Sequence, residues 1–280
     1  MTRKVALVGK PLRRRHSQVM HNAAFAHFGI DARYELRELD PGELEGFVRE
    51  ARGSDWLGFQ VTAPYKEAVV SHLDRVEEAA SRIGAVNSVV READGSLVGF
   101  NTDAPGFAAA VEEMGRPIAG ARALVAGAGG AARAVCWALL TGGAGEVVVA
   151  NRTISRAEAL ADSLGDLGRI RAIGAGGPDL DEALAGAHLA VNATTVGMTS
   201  DGVPFPVALL PPEAAVFDLV YVPPVTPLVA AARERGLTVR NGLEMLVHQA
   251  EIAFRRWTGR SSSDAAMRRA LEEWDRSDPA

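Results

Sequence analysis

Arg122-Ala123-Leu124-Val125-Ala126-Gly127-Ala128-Gly129-Gly130-Ala131-Ala132-Arg133-Ala134-Val135 reads as a buried strand, a glycine turn and the opening of a helix. The run to Ala126 has the length and apolar content of an interior strand, and Gly127 to Ala132 matches G-x-G-x-x-(G/A). In that setting the glycines permit a tight turn and let the backbone approach a pyrophosphate resting on the helix N-terminus. Gly127, Ala128, Gly129, Gly130 and Ala131 are therefore candidate cofactor contacts. Away from its strand and helix, the same run would also read as a packing turn of small residues.

The next strand, Glu146 to Ala150, ends in Asn151-Arg152-Thr153, with Arg156 beyond. An NAD site usually carries an acidic residue roughly 20 positions after the glycines, to take the ribose hydroxyls. This chain offers two guanidiniums and no carboxylate, a combination that attracts a 2′-phosphate and favours NADP. Asn151, Arg152, Thr153 and Arg156 join the cofactor set; the alternative is that both arginines are ordinary solvated charges. Strands at Leu189 to Asn192, Ala215 to Asp218 and Leu237 to Arg240 bring the count to five, a parallel doubly wound sheet.

Upstream, strands at Lys4 to Val8, Tyr34 to Leu39 and Trp56 to Val61 alternate with helices at Ser17 to Phe28 and Pro41 to Arg52, another α/β series. A hairpin with its turn at Asp94-Gly95 breaks the rhythm, and Asp103 opens a helix. We expect an α/β protein with an N-terminal domain over 1–105 and a Rossmann domain over 106–240. Leu243, Leu246, Val247, Ala250, Phe254 and Trp257 recur at helical spacing, so the segment 241–280 is expected to return to the first domain.

Composition narrows the function. The 280 residues are 48% apolar and 23% charged, enough to bury the cores of two ordinary domains. Thirty Lys plus Arg against 35 Asp plus Glu argue against a surface built for nucleic acid. The single Cys136 excludes an internal disulfide, the six histidines show no metal-binding motif, and no apolar run approaches the ~18 residues of a membrane span. The cytoplasm is the expected location and no metal is expected, while a monomer and a homodimer both stay open.

By position alone, Lys66 lies just past a strand's C-terminal end, where open α/β sheets place ligands, and Asn101-Thr102-Asp103 can bring an amide, a hydroxyl and a carboxylate to one place. Taken without any family, Lys66 reads as a surface lysine sooner than as a catalyst, and Asp103 as an N-cap for the helix after it. Eight blocks taken together go further: Gly9-Lys10-Pro11, Val61-Thr62-Ala63-Pro64-Tyr65-Lys66-Glu67, Gly84-Ala85-Val86-Asn87-Ser88, Asn101-Thr102-Asp103, Gly127 to Ala131, Asn151-Arg152-Thr153, Asn192-Ala193-Thr194 and Asn241-Gly242-Leu243-Glu244-Met245-Leu246-Val247-His248-Gln249-Ala250. In order and spacing, over essentially the whole chain, they resemble the shikimate dehydrogenase family.

The resemblance implies a substrate domain followed by an NADP-binding Rossmann domain, with reversible reduction of 3-dehydroshikimate to shikimate. It makes Lys66 and Asp103 the catalytic pair and puts Ser17, Thr62, Asn87, Tyr221 and Gln249 on the substrate. Thr194 and Gly242, in its later blocks, and Leu219, in the Asp218-Leu219-Val220-Tyr221-Val222-Pro223 segment that resembles the family's late tyrosine segment, fall on the cofactor. A Lys66 ammonium beside Asp103 would begin as a donor to the carbonyl oxygen that gains charge.

The departures matter. Where the family carries Ser-x-Ser-Pro to hold the substrate carboxylate, this chain has Arg15-His16-Ser17-Gln18, so half of that clamp becomes a guanidinium, able to pair bidentately with a carboxylate. Arg13 to His16 also reads as a solvated basic loop, and Gln60 stands where the family mostly has Asn. Three other readings stay open: a reductase for quinate, an amino-shikimate or an unrelated acid; a non-catalytic NADP-binding regulator; and a folate-linked dehydrogenase, which shares the two-domain plan.

Overall fold

The computed structural model of the chain describes residues 1–12, 14–198, 200–261 and 263–277, and resolves it into two compact units. One comprises Met1–Thr102 with Leu246–Ala280, the other Asp103–Met245. The first begins β1 (Arg3–Gly9), α1 (His16–His27), β2 (Ala32–Glu38), α2 (Leu44–Glu50) and β3 (Trp56–Val61). β1 pairs in parallel with β2 and β3, with Val5 opposite Tyr34 and Leu7 opposite Gln60.

After Lys66 the chain makes a single 3-10 turn, Ala68–His72. β4 (Arg75–Val76) and α3 (Glu78–Ile83) follow, then the hairpin β5 (Ser88–Arg91) and β6 (Leu97–Phe100). Gly95 turns it with φ 91°, and Asp94 accepts from the Ser96 amide at 2.9 Å. β5 lies antiparallel to β3, so the hairpin ends the parallel series and sets the order β2-β1-β3-β5-β6-β4.

The second unit runs α4 (Asp103–Glu112), β7 (Arg122–Ala126), α5 (Gly130–Thr141), β8 (Glu146–Asn151), α6 (Ile154–Leu164), β9 (Ile170–Gly174), α7 (Pro178–Ala185), β10 (Leu189–Asn192), β11 (Ala215–Asp218), α8 (Pro227–Glu234) and β12 (Thr238–Asn241). Its sheet is wholly parallel in the order β12-β11-β10-β7-β8-β9, six strands where the sequence reading finds five. The strand missed is β9, at the sheet edge: only Ile173 is fully buried, and Arg171 turns out to Glu146 at 3.2 Å. Central strands are covered on both faces, by Leu180, Leu184 and Leu228 on one and by α4 and α5 on the other, where Phe107 meets Phe217 at 5.2 Å.

The chain then forms α9 (Leu243–Thr258) and α10 (Asp264–Ser277), and from Leu246 onward belongs to the first unit. There Phe254 packs on Phe25 at 5.3 Å and the Trp257 indole donates to the Val89 carbonyl at 2.9 Å. Gly58 makes room for it: a Cβ there would lie 2.1 Å from that carbonyl oxygen and 2.6 Å from the indole nitrogen. α10 packs along α1, with Trp274 edge-on to His16 at 4.8 Å. Among the described residues, no helix is long and apolar enough to cross a membrane.

His21, on the inner face of α1, is wholly buried and stacked on Tyr34 at 4.6 Å, and neither ring nitrogen makes a hydrogen bond. Burial pushes the imidazole pKa down to about 3, which the nearby Gln60 only partly offsets. The unfolded chain therefore takes up this proton first, near pH 6.5, while the fold refuses it. Its stabilising contribution is complete above about pH 6.5 and is lost as pH falls toward 3, by about 1.4 kcal/mol per pH unit. His21→Phe, which keeps the stack, should flatten that slope. Urea midpoints between about pH 7.5 and pH 5 test it; a wild-type slope shared by the variant would assign the pH dependence to other groups.

Candidate active site

In the first unit, the loop after β3 is braced at each step. The Thr62 amide donates to the Val8 carbonyl at 2.8 Å, the Tyr65 amide to the Thr62 carbonyl at 3.0 Å, and the Tyr65 hydroxyl to the Leu39 carbonyl at 2.7 Å. Gly9 permits this approach, since a Cβ there would fall 2.3 Å from the Thr62 methyl. Lys66 follows, half-buried, its carbonyl accepting from the Val86 amide at 2.9 Å. The lysine thus leaves a fixed backbone at a strand's C-terminal end.

Beside it lies a buried polar cluster. Asn87, Ser88, Thr102, Gln60 and Gln249 are each less than a tenth exposed. The Asn87 side chain accepts from the Thr102 amide at 2.8 Å and donates to the Thr102 hydroxyl at 2.9 Å. Gln249 Oε1 accepts from the Thr102 hydroxyl and from Gln60 Nε2, both at 3.0 Å. The Tyr34 hydroxyl donates to Gln60 Oε1 at 2.6 Å. Two of the predicted substrate residues, Asn87 and Gln249, are therefore brought together from β5's approach and from α9.

Ser17 is buried in the first turn of α1, while Arg15, directly ahead of the helix, is exposed; Arg13 lies outside the described residues. Gln18, at the position of the family's proline, turns instead to the edge strand and donates to the Tyr34 carbonyl at 3.4 Å. Asn22 brackets the same residue, donating to its carbonyl at 3.1 Å and accepting from its amide at 2.8 Å.

In the second unit the loops after β7, β8, β10 and β11 gather at the C-terminal edge of the sheet, where strand order reverses between β7 and β10. Gly127 adopts φ 113°, its amide donating to the Ala150 carbonyl at 2.8 Å, and a Cβ there would come within 2.8 Å of the Ala193 carbonyl oxygen. Gly129, the cap of α5, faces open space, with no atom within 4 Å of where its Cβ would be. Ala128, Gly130 and Ala131 complete the turn. An open cradle of glycine backbone at a helix N-terminus fits the diphosphate of a dinucleotide.

Beyond β8, Asn151 donates to the Thr153 carbonyl at 2.8 Å, shaping the turn from which Arg152 and Arg156 emerge. Both guanidiniums are exposed and make no ion pair among the described residues, as a site for a 2′-phosphate requires. Thr194 is held by Asn192, whose Oδ1 accepts both its amide and its hydroxyl. Asn192 in turn donates to the buried Asp218 at 2.8 Å. Burial raises the Asp218 pKa, opposed by hydrogen bonds from Thr226, Val220 and Asn192. Gly242 lets its segment close on Leu219, whose carbonyl oxygen would be 2.2 Å from a Cβ.

Asp103, first residue of α4 and 7% exposed, and the half-buried Tyr221 belong to this second unit. The Asn192–Asp218–Thr226 hub was not singled out from sequence. Its signal was a buried strand ending in a carboxylate, Ala215 to Asp218, eight residues before a threonine that caps the next helix.

Residues 7–89 match the shikimate dehydrogenase substrate binding domain, residues 109–197 shikimate / quinate 5-dehydrogenase, and residues 242–272 the shikimate 5′-dehydrogenase C-terminal domain. The chain is 48% identical to the shikimate dehydrogenase (NADP(+)) of Rubrobacter xylanophilus, over 96% of this chain and 95% of that protein. It superposes with a TM-score of 0.87 and 41% identity on the shikimate 5-dehydrogenase of Thermus thermophilus in complex with NADP(H) and shikimate, covering 97% and 99% of the two chains. The quinate dehydrogenase of Corynebacterium glutamicum in complex with NAD is similar at 35% identity, TM-score 0.89, over 97% and 99%.

Proposed function

The chain belongs to the shikimate dehydrogenase family and is an NADP-dependent oxidoreductase interconverting 3-dehydroshikimate and shikimate, and we propose that Lys66 and Asp103 carry its chemistry. The observation that carries the reading of the site is the buried amide and hydroxyl cluster of Asn87, Thr102 and Gln249 beside the Lys66 loop. A ring bearing several hydroxyls needs such fixed donors and acceptors to be told from its analogues.

NADPH, when bound, would supply the hydride for the ring carbonyl carbon. Lys66 Nζ donates toward the carbonyl oxygen, where negative charge develops, and delivers the proton that makes the alcohol. Asp103 is the second member of the catalytic pair, and Thr62, Asn87, Tyr221 and Gln249 are the residues for the ring. Ser17 and the exposed Arg15 take the carboxylate, Arg15 by paired N–H donors. The unit of Met1–Thr102 and Leu246–Ala280 is the substrate-binding one, and Asp103–Met245 binds the dinucleotide. There Gly127 to Ala131 take the diphosphate, Asn151, Arg152, Thr153 and Arg156 the adenosine end, and Thr194, Leu219 and Gly242 the nicotinamide end. The enzyme works in the cytoplasm on a free small molecule, as a monomer or a homodimer, with neither nucleic acid nor membrane as partner.

Arg15 and Gln18 favour one second reading, a related cyclic acid such as quinate or an amino-shikimate. Steady-state reduction of NADP⁺ with shikimate, quinate and an amino-shikimate side by side decides between them. Turnover led by shikimate is the expected result; NADP⁺ binding with turnover of another acid alone would overturn the substrate assignment. In the same assay, replacing Arg152 and Arg156 together by Ala should raise the KM for NADP⁺ about 100-fold, as two charge-assisted contacts are lost, and leave NAD⁺ kinetics within about threefold. Equal losses with both dinucleotides would remove the arginines from the 2′-phosphate site.

A further inference from the structure

We propose that Thr102 and Gln60 are positioning residues that fix the orientation of the Gln249 amide, so that this residue meets the substrate only as a hydrogen-bond donor. The inference rests on the reading of Gln249 as a substrate contact and specifies what that contact selects. A glutamine amide is nearly symmetric in shape, and turning it over exchanges two N–H donors for one acceptor oxygen. Which end faces the ligand therefore depends on what holds the other end.

The polarity can be followed from a group that has no choice. The Thr102 backbone N–H can only donate, and it lies 2.8 Å from Asn87 Oδ1, which makes the other end of that amide Nδ2. Asn87 Nδ2 donates to the Thr102 hydroxyl oxygen at 2.9 Å. With that lone pair occupied, the one hydroxyl proton goes to Gln249 Oε1 at 3.0 Å. Gln60 Nε2 donates to the same oxygen at 3.0 Å, and Asn87 Nδ2 approaches it at 3.5 Å. Gln60 must therefore turn Nε2 to that oxygen, and its own Oε1 then accepts from the Tyr34 hydroxyl at 2.6 Å. Tyr34 is itself bracketed by Asn22 and stacked on His21.

Gln249 Oε1 is thus surrounded by three donors, and a reversed amide would set its N–H groups against them. Gln249 Nε2 makes no hydrogen bond to any described residue, although the side chain is only 6% exposed. Its two N–H groups, without a partner among the described residues and still reaching accessible surface, are open to a ligand oxygen. The matching chemistry is a ring hydroxyl or keto oxygen that accepts. A ring carrying an ammonium group at that position has only donors and is rejected, because the N–H groups of Gln249 then stay unpaired.

The test is a double-mutant cycle in the full-length enzyme. Thr102→Val removes the hydroxyl with little change of shape and should raise the KM for shikimate about tenfold, with a smaller change in kcat and the KM for NADP⁺ unchanged. Thr102→Ser should restore it. On a Gln249→Ala background, Thr102→Val should have no further effect on the KM for shikimate, since there is no amide left to orient. Gln60→Met is the second variant, expected to behave the same way, should Thr102→Val fold poorly. Equal KM increases with and without Gln249 would overturn the proposal and leave Gln249 as a substrate contact. No change in shikimate KM for Gln249→Ala alone would remove the substrate reading of Gln249, and the proposal with it.

Discussion

Lys66→Ala is expected to lower kcat about 1,000-fold or more while the Kd for NADP⁺ changes by less than about twofold. The magnitude combines two losses: the proton delivered to the carbonyl oxygen, and the positive charge that stabilises that oxygen as electrons arrive. The separation of kcat from cofactor affinity follows from placement. Lys66 is anchored through its carbonyl to the Val86 amide in the first unit, whereas the glycine turn and the two exposed arginines belong to the second. Stopped-flow hydride transfer and a fluorescence titration with NADPH read the two quantities separately. A Lys66→Ala enzyme within tenfold of wild type in kcat would return the lysine to the surface-charge reading. Asp103→Asn should lower kcat by less than Lys66→Ala does, as expected of the second member of the proposed pair.

Gly58→Ala is expected to be the most damaging single methyl addition in the first unit, costing about 4 kcal/mol or preventing folding. Gly58 sits at φ 155°, and its missing Cβ would come 2.1 Å from the Val89 carbonyl oxygen and 2.6 Å from the Trp257 indole nitrogen. Neither neighbour can yield cheaply. The carbonyl belongs to the β3–β5 ladder and already accepts the indole N–H at 2.9 Å, and the tryptophan is a buried residue of α9 itself. Gly46→Ala, in the exposed face of α2 with no atom within 4 Å of a new Cβ, should be neutral or slightly stabilising. Thermal midpoints of the two variants compare them directly; a Gly58→Ala protein as stable as Gly46→Ala would mean that α9 docks without this contact.

What could be read in advance depended on how far apart in the chain the deciding residues lie. The strand, glycine turn and helix from Arg122 onward were legible because a central parallel strand is apolar throughout and its turn chemistry is local. β9 was not, because an edge strand with Arg171 turned outward carries half the pattern. The stripe on α9 predicted that the helix is buried, yet not that Gln249 on it would meet Gln60 and Thr102. That meeting needs the register that sets Gln60 opposite Ser88 and Ser88 opposite Phe100, a long-range product of pairing that no window of sequence contains. Lys66 and Asp103 were prominent through resemblance alone, since their local surroundings suit a surface lysine and a helix start just as well.

The first unit is interrupted: the chain leaves it at Thr102 and re-enters at Leu246, with the whole second unit between. During synthesis, the sheet that needs Phe254 and Trp257 leaves the ribosome without them. At about 5–20 residues per second it waits on the order of ten seconds for its last helices. Over that interval Gly58, His21 and Phe25 have no covering helix, while the inserted second unit, continuous in sequence, has all it needs to fold first. The nascent chain is therefore exposed to aggregation and to proteases on the face where Gln249 will later arrive, and a message cut short anywhere before α9 yields an unfinished, sticky first unit rather than a weaker enzyme.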